Sequence, residues 1–455
     1  MRDQLESALK KSTADYCEIR IERSAGAFIS FRGEELDRVG TARSVGGIAR
    51  ACWKGGWGMA TFNDLTDLGA KVRDACECAR LVGKEKTQLA ACPPVVDCTK
   101  AQMGRDFREV PLAEKKKVVE EYNRIAFNYH DKVETTNVNY SDGFLRLWYA
   151  NTDGTYIEDE RPDLTVSIRV TAREGDNVQQ GMESVAGPQG FDIALGLRAK
   201  AEQAAQRAVD LLSAPTVKGG QYTVVLNPKL GGVFAHEAFG HLSEADFVYE
   251  NPKMRELMVL GKRFGPDHLS ILDDGSIPGM RGTHKYDDEG VKTRKNYLIK
   301  DGILVGRLHN RETAGKMGEP LTGNARALGY SAAPIVRMTN TYIDKGWATF
   351  DELIRDIQLG VYACDMYGGS TMMEMFTFSA GYAYMIRDGK VAEMVRDVVL
   401  TGNLFVTLMN IDALGREIEW PVTGGGCGKG AQAGLPVGFG SPHVRIQNVT
   451  VGGRQ

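Results

Sequence analysis

The sequence lacks the features that would place the chain in a membrane or outside the cell. It contains no run of about 18 or more apolar residues, so we expect no membrane-spanning helix and no membrane partner. The first segment, MRDQLESALKKSTADY, has the pattern of an amphipathic helix but not the apolar core of a secretion signal. We therefore expect a soluble cytoplasmic protein.

A strong net charge is absent as well. The formal net charge is −3 over 455 residues, and the basic run EKKKVVEE (114–121) is balanced by its own glutamates. Without a basic field the chain has no electrostatic attraction for phosphate backbones, so we expect no nucleic-acid partner. Hydrophobic residues account for 42% and charged residues for 25%, which is typical of a soluble globular protein.

The cysteines form no metal-binding motif at short spacing. Cys76, Cys78, Cys92 and Cys98 follow the pattern C-x-C-x13-C-x5-C, which matches no zinc knuckle, and the first two would face different sides of a helix. In a long chain without a secretion signal, such scattered cysteines indicate free thiols rather than a disulfide framework.

The N-terminal half alternates runs of strands with helices. Helices are predicted from the N-cap candidate Asn63, from near Pro111 and over roughly 191–213. The motif Ser141-Asp142-Gly143 is interpreted as a hairpin turn. Alternating apolar residues predict strands at 16–23, 26–33, 48–62, 132–151 and 163–173. Strands in runs between helices indicate an α+β fold with antiparallel strands rather than a doubly wound parallel sheet.

The segment SAPTVKGG (213–220) has the composition of a domain linker, with small residues, one proline and two glycines after a long helix. We therefore predict an N-terminal α+β domain over 1–215, built of antiparallel strands with flanking helices. The C-terminal domain, 220–455, has many glycines and short strand patterns, and it is predicted to be mostly β.

A strand, a turn and a helix are predicted at the start of the C-terminal domain. The strand covers Tyr222 to Leu226, Asn227 caps the helix, and Pro228 occupies its first position, where a missing N–H costs nothing. This helix carries the motif HEAFGH (236–241), which resembles a zinc-peptidase signature with one residue too many.

The spacing of the two histidines in HEAFGH sets a geometric condition. On an ideal helix, His236 and His241 would lie about 140° apart, against about 40° for a four-residue spacing. They can share a metal only if the helix ends between them or bulges by one residue, and Gly240 tolerates such a distortion. The alternative is a pair of unrelated histidines near a helix end.

Zinc catalysis normally uses three protein ligands and leaves one position for water. The candidate third ligand is Cys427, in VTGGGCGKGAQAGLPVGFGSP (422–442), where flanking glycines allow close approach to another element. The alternative is a glycine-rich turn with an incidental cysteine. Thiolate and imidazole ligands favour zinc and leave iron and cobalt open.

Four segments of the C-terminal half together resemble the TldD/PmbA family of metallopeptidases. The N-terminal half resembles it less sharply, through ADYCEIRIERS (14–24) and VGGIARACWKGGWGMATF (45–62), so the resemblance covers nearly the whole chain in the expected order. It implies a metal-binding helix in the C-terminal domain and an enzyme that cleaves peptides. The segments are HEAFGHLSEADF (236–247), TGNARALGYSAAPIVRMTNTYI (322–343), FTFSAGYAYMIRDGKV (376–391) and GCGKGAQAGLPVGFGSPHVRIQNVTVGG (426–453).

The resemblance implies His236, His241 and Cys427 as zinc ligands and Glu237 as the general base that accepts a proton from the attacking water. Because all four residues are present, the chain is similar to the catalytic TldD branch rather than to the PmbA (TldE) branch, which lacks the motif. Gly426 departs from the expected pattern, in which a bulkier residue precedes the cysteine.

The resemblance also implies a substrate and a partner. The substrate would be an unfolded or extended peptide, and the chain would act as a homodimer or as a heterodimer with a PmbA/TldE-like subunit. Strand addition to the segment MTNTY (338–342) is one way to hold such a peptide. The alternative function is a non-catalytic subunit that binds peptide or activates a partner. Tyr330, Tyr342 and His309 are candidate oxyanion donors for which we expect structural roles.

Overall fold

The computed structural model describes residues 1–452, and the fold is α+β, as predicted. The first half has helices α1 (Arg2–Leu9), α2 (Leu68–Val82), α3 (Leu112–Phe127) and α4 (Arg198–Ser213), with 3₁₀ turns at Phe107–Glu109 and Phe191–Ala194. Its strands are β1 (Tyr16–Arg32), β2 (Glu35–Trp53), β3 (Gly56–Phe62), β4 (Val96–Thr99), β5 (Val133–Asn151), β6 (Tyr156–Glu174) and β7 (Asn177–Gly187).

The seven strands of this half form one sheet, in the order β3-β2-β1-β5-β6-β7, and β4 pairs with the first residues of β6, on the same edge of β6 as β7. Every neighbouring pair is antiparallel except β4 and β6. The segments 16–23 and 26–33, predicted as two strands, are the single strand β1. Long antiparallel strands of this kind are joined by short turns, so the sheet is built largely from consecutive segments of the chain.

One predicted hairpin turn is wrong. Ser141-Asp142-Gly143 lies in the middle of β5 and pairs with strands on both sides. The Asp142 carboxylate is buried and accepts hydrogen bonds from Lys115 Nζ and from the Tyr140 hydroxyl, both at 2.5 Å. The aspartate therefore serves a buried ion pair with α3 and not a turn.

Two predicted helix boundaries also shift. Helix α2 begins after Asp67, whose carboxylate accepts the Ala70 N–H, while the Asn63 side chain donates to the Val45 carbonyl instead. The predicted helix over 191–213 is interrupted at Gly196, which has a φ of 70°. The first difference arises because the Asn63 side chain is engaged in another hydrogen bond, and the second because the backbone at Gly196 is left-handed.

The two faces of the N-terminal sheet have different partners. Apolar residues such as Ile19 face the helices. Charged residues on the other face are buried against the second half: Arg20 donates to the Gly329 carbonyl at 2.7 Å, and Arg50 pairs with Glu289 at 3.4 Å. The two halves of the chain therefore meet across a buried, charged interface.

The second half is mostly β, as predicted, and follows the connection 214–219. Its helices are α5 (Pro228–Ala235), α6 (Ala245–Glu250), α7 (Pro252–Leu257), α8 (Arg311–Met317), α9 (Phe350–Ile354) and α10 (Leu404–Met409). Its strands are β8 (Gly220–Leu226), β9 (Ile271–Asp274), β10 (Lys295–Lys300), β11 (Ile303–Leu304), β12 (Ala325–Arg326), β13 (Ile335–Val336), β14 (Asn340–Ile343), β15 (Leu359–Met372), β16 (Met375–Arg387), β17 (Lys390–Val395), β18 (Val399–Asn403), β19 (Ile411–Leu414), β20 (Cys427–Lys429), β21 (Gln432–Leu435), β22 (Gly438–Gly440) and β23 (Val444–Gly452).

Two sheets enclose helix α5. In one, β15, β8, β23, β18 and β16 pair in that order, and the pairing of β15 with β16 closes the ring. The other has the order β11-β10-β9-β14-β22. Phe234 of α5 packs against Phe376 and Phe378 of the ring, while Gly231 and Gly232 lie against the segment around β22. The helix that leads into HEAFGH is therefore fixed on both sides.

The predicted peptide edge at MTNTY is absent from this arrangement. Strand β14 pairs antiparallel with β9 and parallel with β22, and its four residues are all buried. Because both edges are already hydrogen-bonded, β14 cannot accept another strand. Within residues 1–452, no helix combines the length and apolar character needed to cross a bilayer.

Candidate metal centre

The helix that leads to the candidate site begins as the sequence predicts. Asn227 accepts a hydrogen bond from the Leu230 N–H at 2.9 Å, and Pro228 takes the first position of α5. The α-helix ends at Ala235 and continues as a π-helical turn over His236–Gly240. Of the two distortions that a shared metal would require, a helix end or a one-residue bulge, the structure has the bulge, and a single 3₁₀ turn, His241–Ser243, follows it.

The bulge brings the two imidazoles to the same side of the helix. The N–H of His241 donates to the carbonyl of His236, five residues earlier, and the two ring centroids are 5.2 Å apart. Cys427, the first residue of β20, lies beside these two imidazoles, although it is 186 residues further along the chain than His241. One ligand atom from each of the three residues lies within 4.8 Å of the others, and Cys427 Sγ is 3.4 Å from His241 Nε2.

The donor set fits a zinc ion. Two imidazoles and a thiolate are ordinary zinc ligands, and three of them leave a coordination position free. His236 is only 4% exposed, yet its Nδ1 has no hydrogen-bond partner among residues 1–452. A buried polar nitrogen without a partner costs free energy, and coordination of a metal through Nδ1 would remove that cost.

The charges of the site favour a deprotonated sulfur. Burial would raise the pKa of Cys427, but the two neighbouring histidines outweigh it and lower that pKa to about 5. Burial would also lower the pKa of His241, but hydrogen bonds to Cys427 and Glu244 raise it to about 10. Both shifts favour the thiolate form of the cysteine, which is the form that metal coordination requires.

Glu237 lies beside these three residues and is more accessible. Its carboxylate is 3.9 Å from His241 Nε2, and its side chain is 30% exposed. A carboxylate next to a metal position and open to solvent can exchange protons with a water molecule. The structure therefore brings His236, Glu237, His241 and Cys427 to one place.

A second carboxylate orients His241 from its other ring nitrogen. Glu244 is buried, and one of its oxygens lies 3.0 Å from His241 Nδ1 and 3.1 Å from Lys429 Nζ. Burial opposes ionisation of Glu244, but the contacts with His241 and Lys429 keep its pKa below the usual value. With Nδ1 hydrogen-bonded to Glu244, Nε2 faces Cys427 and is the ring nitrogen that would bind a metal once it has lost its own proton.

A buried arginine holds the cysteine hairpin. Arg337 is fully buried and donates from Nη2 to the Cys427 carbonyl at 2.7 Å and from Nη1 to the Gln432 carbonyl at 3.1 Å. These bonds fix both strands of the β20–β21 hairpin. The sequence interpretation missed Arg337 and Glu244; the only local signal is the position of Glu244 three residues after His241.

Gly240 and Gly426 lie where a Cβ atom would overlap a neighbouring residue. Gly240 has ordinary helical angles, but a Cβ there would overlap the Met338 sulfur. Its role is close packing, not the backbone distortion for which it was proposed. A Cβ at Gly426 would overlap the backbone of Gly434. The expected bulkier residue before Cys427 would therefore not fit this hairpin.

The remaining candidates lie in other surroundings. The Tyr330 hydroxyl accepts a hydrogen bond from Asn63, and the Tyr342 ring packs 4.9 Å from Trp420. His309 is buried between Thr313 and Glu319. These contacts give each of the three a structural role. All eight cysteines are free thiols, as predicted.

Comparison with known proteins gives a consistent assignment over most of the chain. Family models described as domains of PmbA/TldA metallopeptidases match residues 17–81 (domain 1), 105–212 (central domain) and 219–453 (C-terminal domain). A metalloprotease of Synechocystis sp. is 47% identical over 97% of this chain and 96% of its own length. A zinc metalloprotease TldD homolog of Saccharolobus solfataricus is 29% identical over 97% of both chains.

The fold also matches solved structures. The crystal structure of TldE from Thermococcus kodakarensis superimposes with a TM-score of 0.76 over the full length of both chains, at 18% identity. At 18% identity this match shows that the two chains share a fold and nothing beyond the fold.

Proposed function

The chain belongs to the PmbA/TldA metallopeptidase family, and we propose that it is a zinc-dependent peptidase with His236, His241 and Cys427 as metal ligands. The observation that carries the proposal is the convergence of these three side chains within 4.8 Å, from segments almost two hundred residues apart. Zinc, when bound, supplies Lewis-acid polarisation of a water molecule and of a peptide carbonyl.

The protein's own groups perform the proton transfers in this proposal. The Glu237 carboxylate accepts a proton from the attacking water and returns it to the leaving amine. Its partial exposure and its 3.9 Å distance from His241 support this role. Glu244 keeps a proton on His241 Nδ1, so that Nε2 stays available as a ligand.

We extend the proposal to an extended, unfolded peptide as substrate and to a cytoplasmic enzyme. The metallopeptidase family supports a peptide as substrate, while the unfolded state of that peptide and the compartment rest on the resemblance of the sequence motifs. Assembly as a homodimer, or as a heterodimer with a PmbA/TldE-like subunit, belongs to the same proposal. The buried strand β14 is not the binding edge, so main-chain recognition of a peptide would use another segment.

The test compares Cys427→Ala with wild type. Zinc is counted by elemental analysis, and cleavage is assayed on a library of unstructured peptides, with and without a PmbA-like partner. Cys364→Ala is the matched control, because Cys364 is another buried free thiol in the same half of the chain. We expect about one zinc per chain in wild type and in the control.

Loss of both zinc and cleavage in Cys427→Ala alone would support the three-ligand site. Retention of metal and activity in this variant would refute it. If wild type and Cys364→Ala bind zinc but cleave no peptide even with the partner, the chain is the non-catalytic peptide-binding subunit instead.

A further inference from the structure

The loop that precedes Cys427 is held by the N-terminal sheet. The N–H of Gly424 donates to the Ser184 hydroxyl of β7 at 3.1 Å. A Cβ at Gly424 would lie 2.8 Å from the Thr165 methyl of β6, so the loop backbone packs directly on the sheet. The cysteine therefore follows a segment whose position is set by the other half of the chain.

One arginine joins the sheet to the same loop. Arg281 comes from the second half, and its guanidinium donates to both carboxylate oxygens of Asp163 on β6, from Nε at 2.8 Å and from Nη2 at 2.7 Å. Its remaining nitrogen, Nη1, donates to the Gly425 carbonyl. The Arg281 side chain is 12% exposed and the Asp163 side chain 33% exposed, so the pair is partly shielded from water.

The loop before Cys427 depends on contacts from other segments, because its glycines have no side chains with which to hold their own position. Gly424, Gly425 and Gly426 are consecutive, and Gly425 has a φ of 114°, which only glycine adopts readily. A run of glycines has a large conformational entropy when it is free. A bidentate Arg–carboxylate pair has a fixed orientation, so it can hold the Gly425 carbonyl in one direction.

We propose that Arg281 is a positioning residue for the metal ligand Cys427, and that Asp163 sets the orientation of Arg281. The metal centre is then complete only when the N-terminal sheet is docked against the loop. This inference rests on the proposed zinc site, but it concerns how the full chain holds the cysteine and not the chemistry of cleavage.

The experiment uses the full-length chain and the variants Arg281→Ala and Asp163→Asn. Metal-free protein is titrated with Co²⁺, and the thiolate-to-cobalt charge-transfer band reports the geometry at Cys427. In a second measurement without metal, the alkylation rate of Cys427 is followed by peptide mass spectrometry. Cys427 is 4% exposed, so a loosened loop raises this rate.

Arg105→Ala is the matched control. Arg105 makes an equally bidentate pair with Glu114, at 2.7 and 2.9 Å, in the N-terminal half. We expect metal affinity about 10- to 100-fold lower in Arg281→Ala and Asp163→Asn, as for other groups that orient metal ligands. We also expect a changed charge-transfer band, faster alkylation and wild-type behaviour in the control.

Equal metal affinity, band position and alkylation rate in Arg281→Ala and Arg105→Ala would overturn the inference. If Arg281→Ala does not fold, Asp163→Asn decides, because it keeps the shape of the side chain and removes the charge that orients Arg281. Faster alkylation of Cys427 in Asp163→Asn supports the inference, and an unchanged rate refutes it. If wild type binds no metal, the proposed function fails, while the alkylation rates still test whether the sheet positions the loop.

Discussion

The ring nitrogen Nδ1 of His241 lies 3.0 Å from a carboxylate oxygen of Glu244, three residues further along the chain. The same oxygen contacts Lys429, which also pairs with Asp246 and donates to the Val336 carbonyl. Lys429 is two residues after Cys427. The contact therefore links the histidine turn to the cysteine hairpin, so that both ligands share one polar support.

The variant Glu244→Gln tests this support. The glutamine side chain would keep the shape of the glutamate but lose the charge that holds the proton on His241 Nδ1 and that balances Lys429. We expect zinc affinity to fall about 10- to 100-fold, measured by competition with a chelator. Glu250→Gln is the control, because Glu250 is exposed in the same segment. Equal affinities in the two variants would contradict the role of Glu244.

The packing of Gly240 against Met338 gives a second prediction. Gly240→Ala keeps a helical backbone, so overlap with Met338 outweighs the small gain in helix propensity, and we expect a loss of about 1–3 kcal/mol in the free energy of unfolding. Because Met338→Ala alone leaves a cavity, the comparison is made within that background, where adding Gly240→Ala should cost much less than it does in wild type. Gly69→Ala in α2, where a Cβ meets only ordinary contacts, should be neutral or stabilising. Urea denaturation measures the stability of each variant.

Local features of the site could be predicted because they depend on neighbouring residues. The cap by Asn227 follows from the preference of asparagine for this position, and it is present. Helix geometry required a helix end or a one-residue bulge between His236 and His241 for a shared metal, and the structure has the bulge. Because they are five positions apart, the rings of His236 and His241 can come together in only a few backbone conformations. The division of the chain at 215 and 220 stays a prediction.

Long-range features could not be predicted in the same way. Arg281 contacts the loop of Cys427 from 144 residues away, and Arg337 contacts its hairpin from 90 residues away. Nothing in the local sequence of either arginine indicates these contacts. For Asp142 the local sequence gives a misleading signal, because Ser141 and Gly143 favour a turn while the segment is part of strand β5. In β5 the tertiary contacts of Asp142 prevail over those preferences.

The buried pair of Lys115 and Asp142 gives a third prediction. Asp142→Ala would leave the Lys115 ammonium buried without its carboxylate, so we expect a loss of about 3–5 kcal/mol in the free energy of unfolding. The control is Glu120→Ala, which removes an exposed partner of Lys116 on the same helix and should cost less than about 0.5 kcal/mol. Similar losses in both variants would show that the Asp142 carboxylate does not stabilise β5.

His443 makes stability depend on pH at a position outside the metal centre. Burial lowers its pKa from 6.5 to about 4, and the Tyr362 hydroxyl lies 3.0 Å from its Nε2. Between these two values the unfolded chain binds a proton that the folded chain does not. The free energy of unfolding therefore falls as the pH falls from 6.5 toward 4, and the His443 contribution is constant below that.

The variant His443→Gln isolates this contribution, because glutamine can still accept a hydrogen bond from Tyr362 but does not titrate. Between about pH 7 and about pH 5 we expect wild type to lose roughly 1–2 kcal/mol more than the variant. Carboxylates that titrate in the same range affect both proteins equally and cancel in the comparison. Parallel pH profiles from urea denaturation would mean that His443 is protonated in the folded protein as easily as in the unfolded chain.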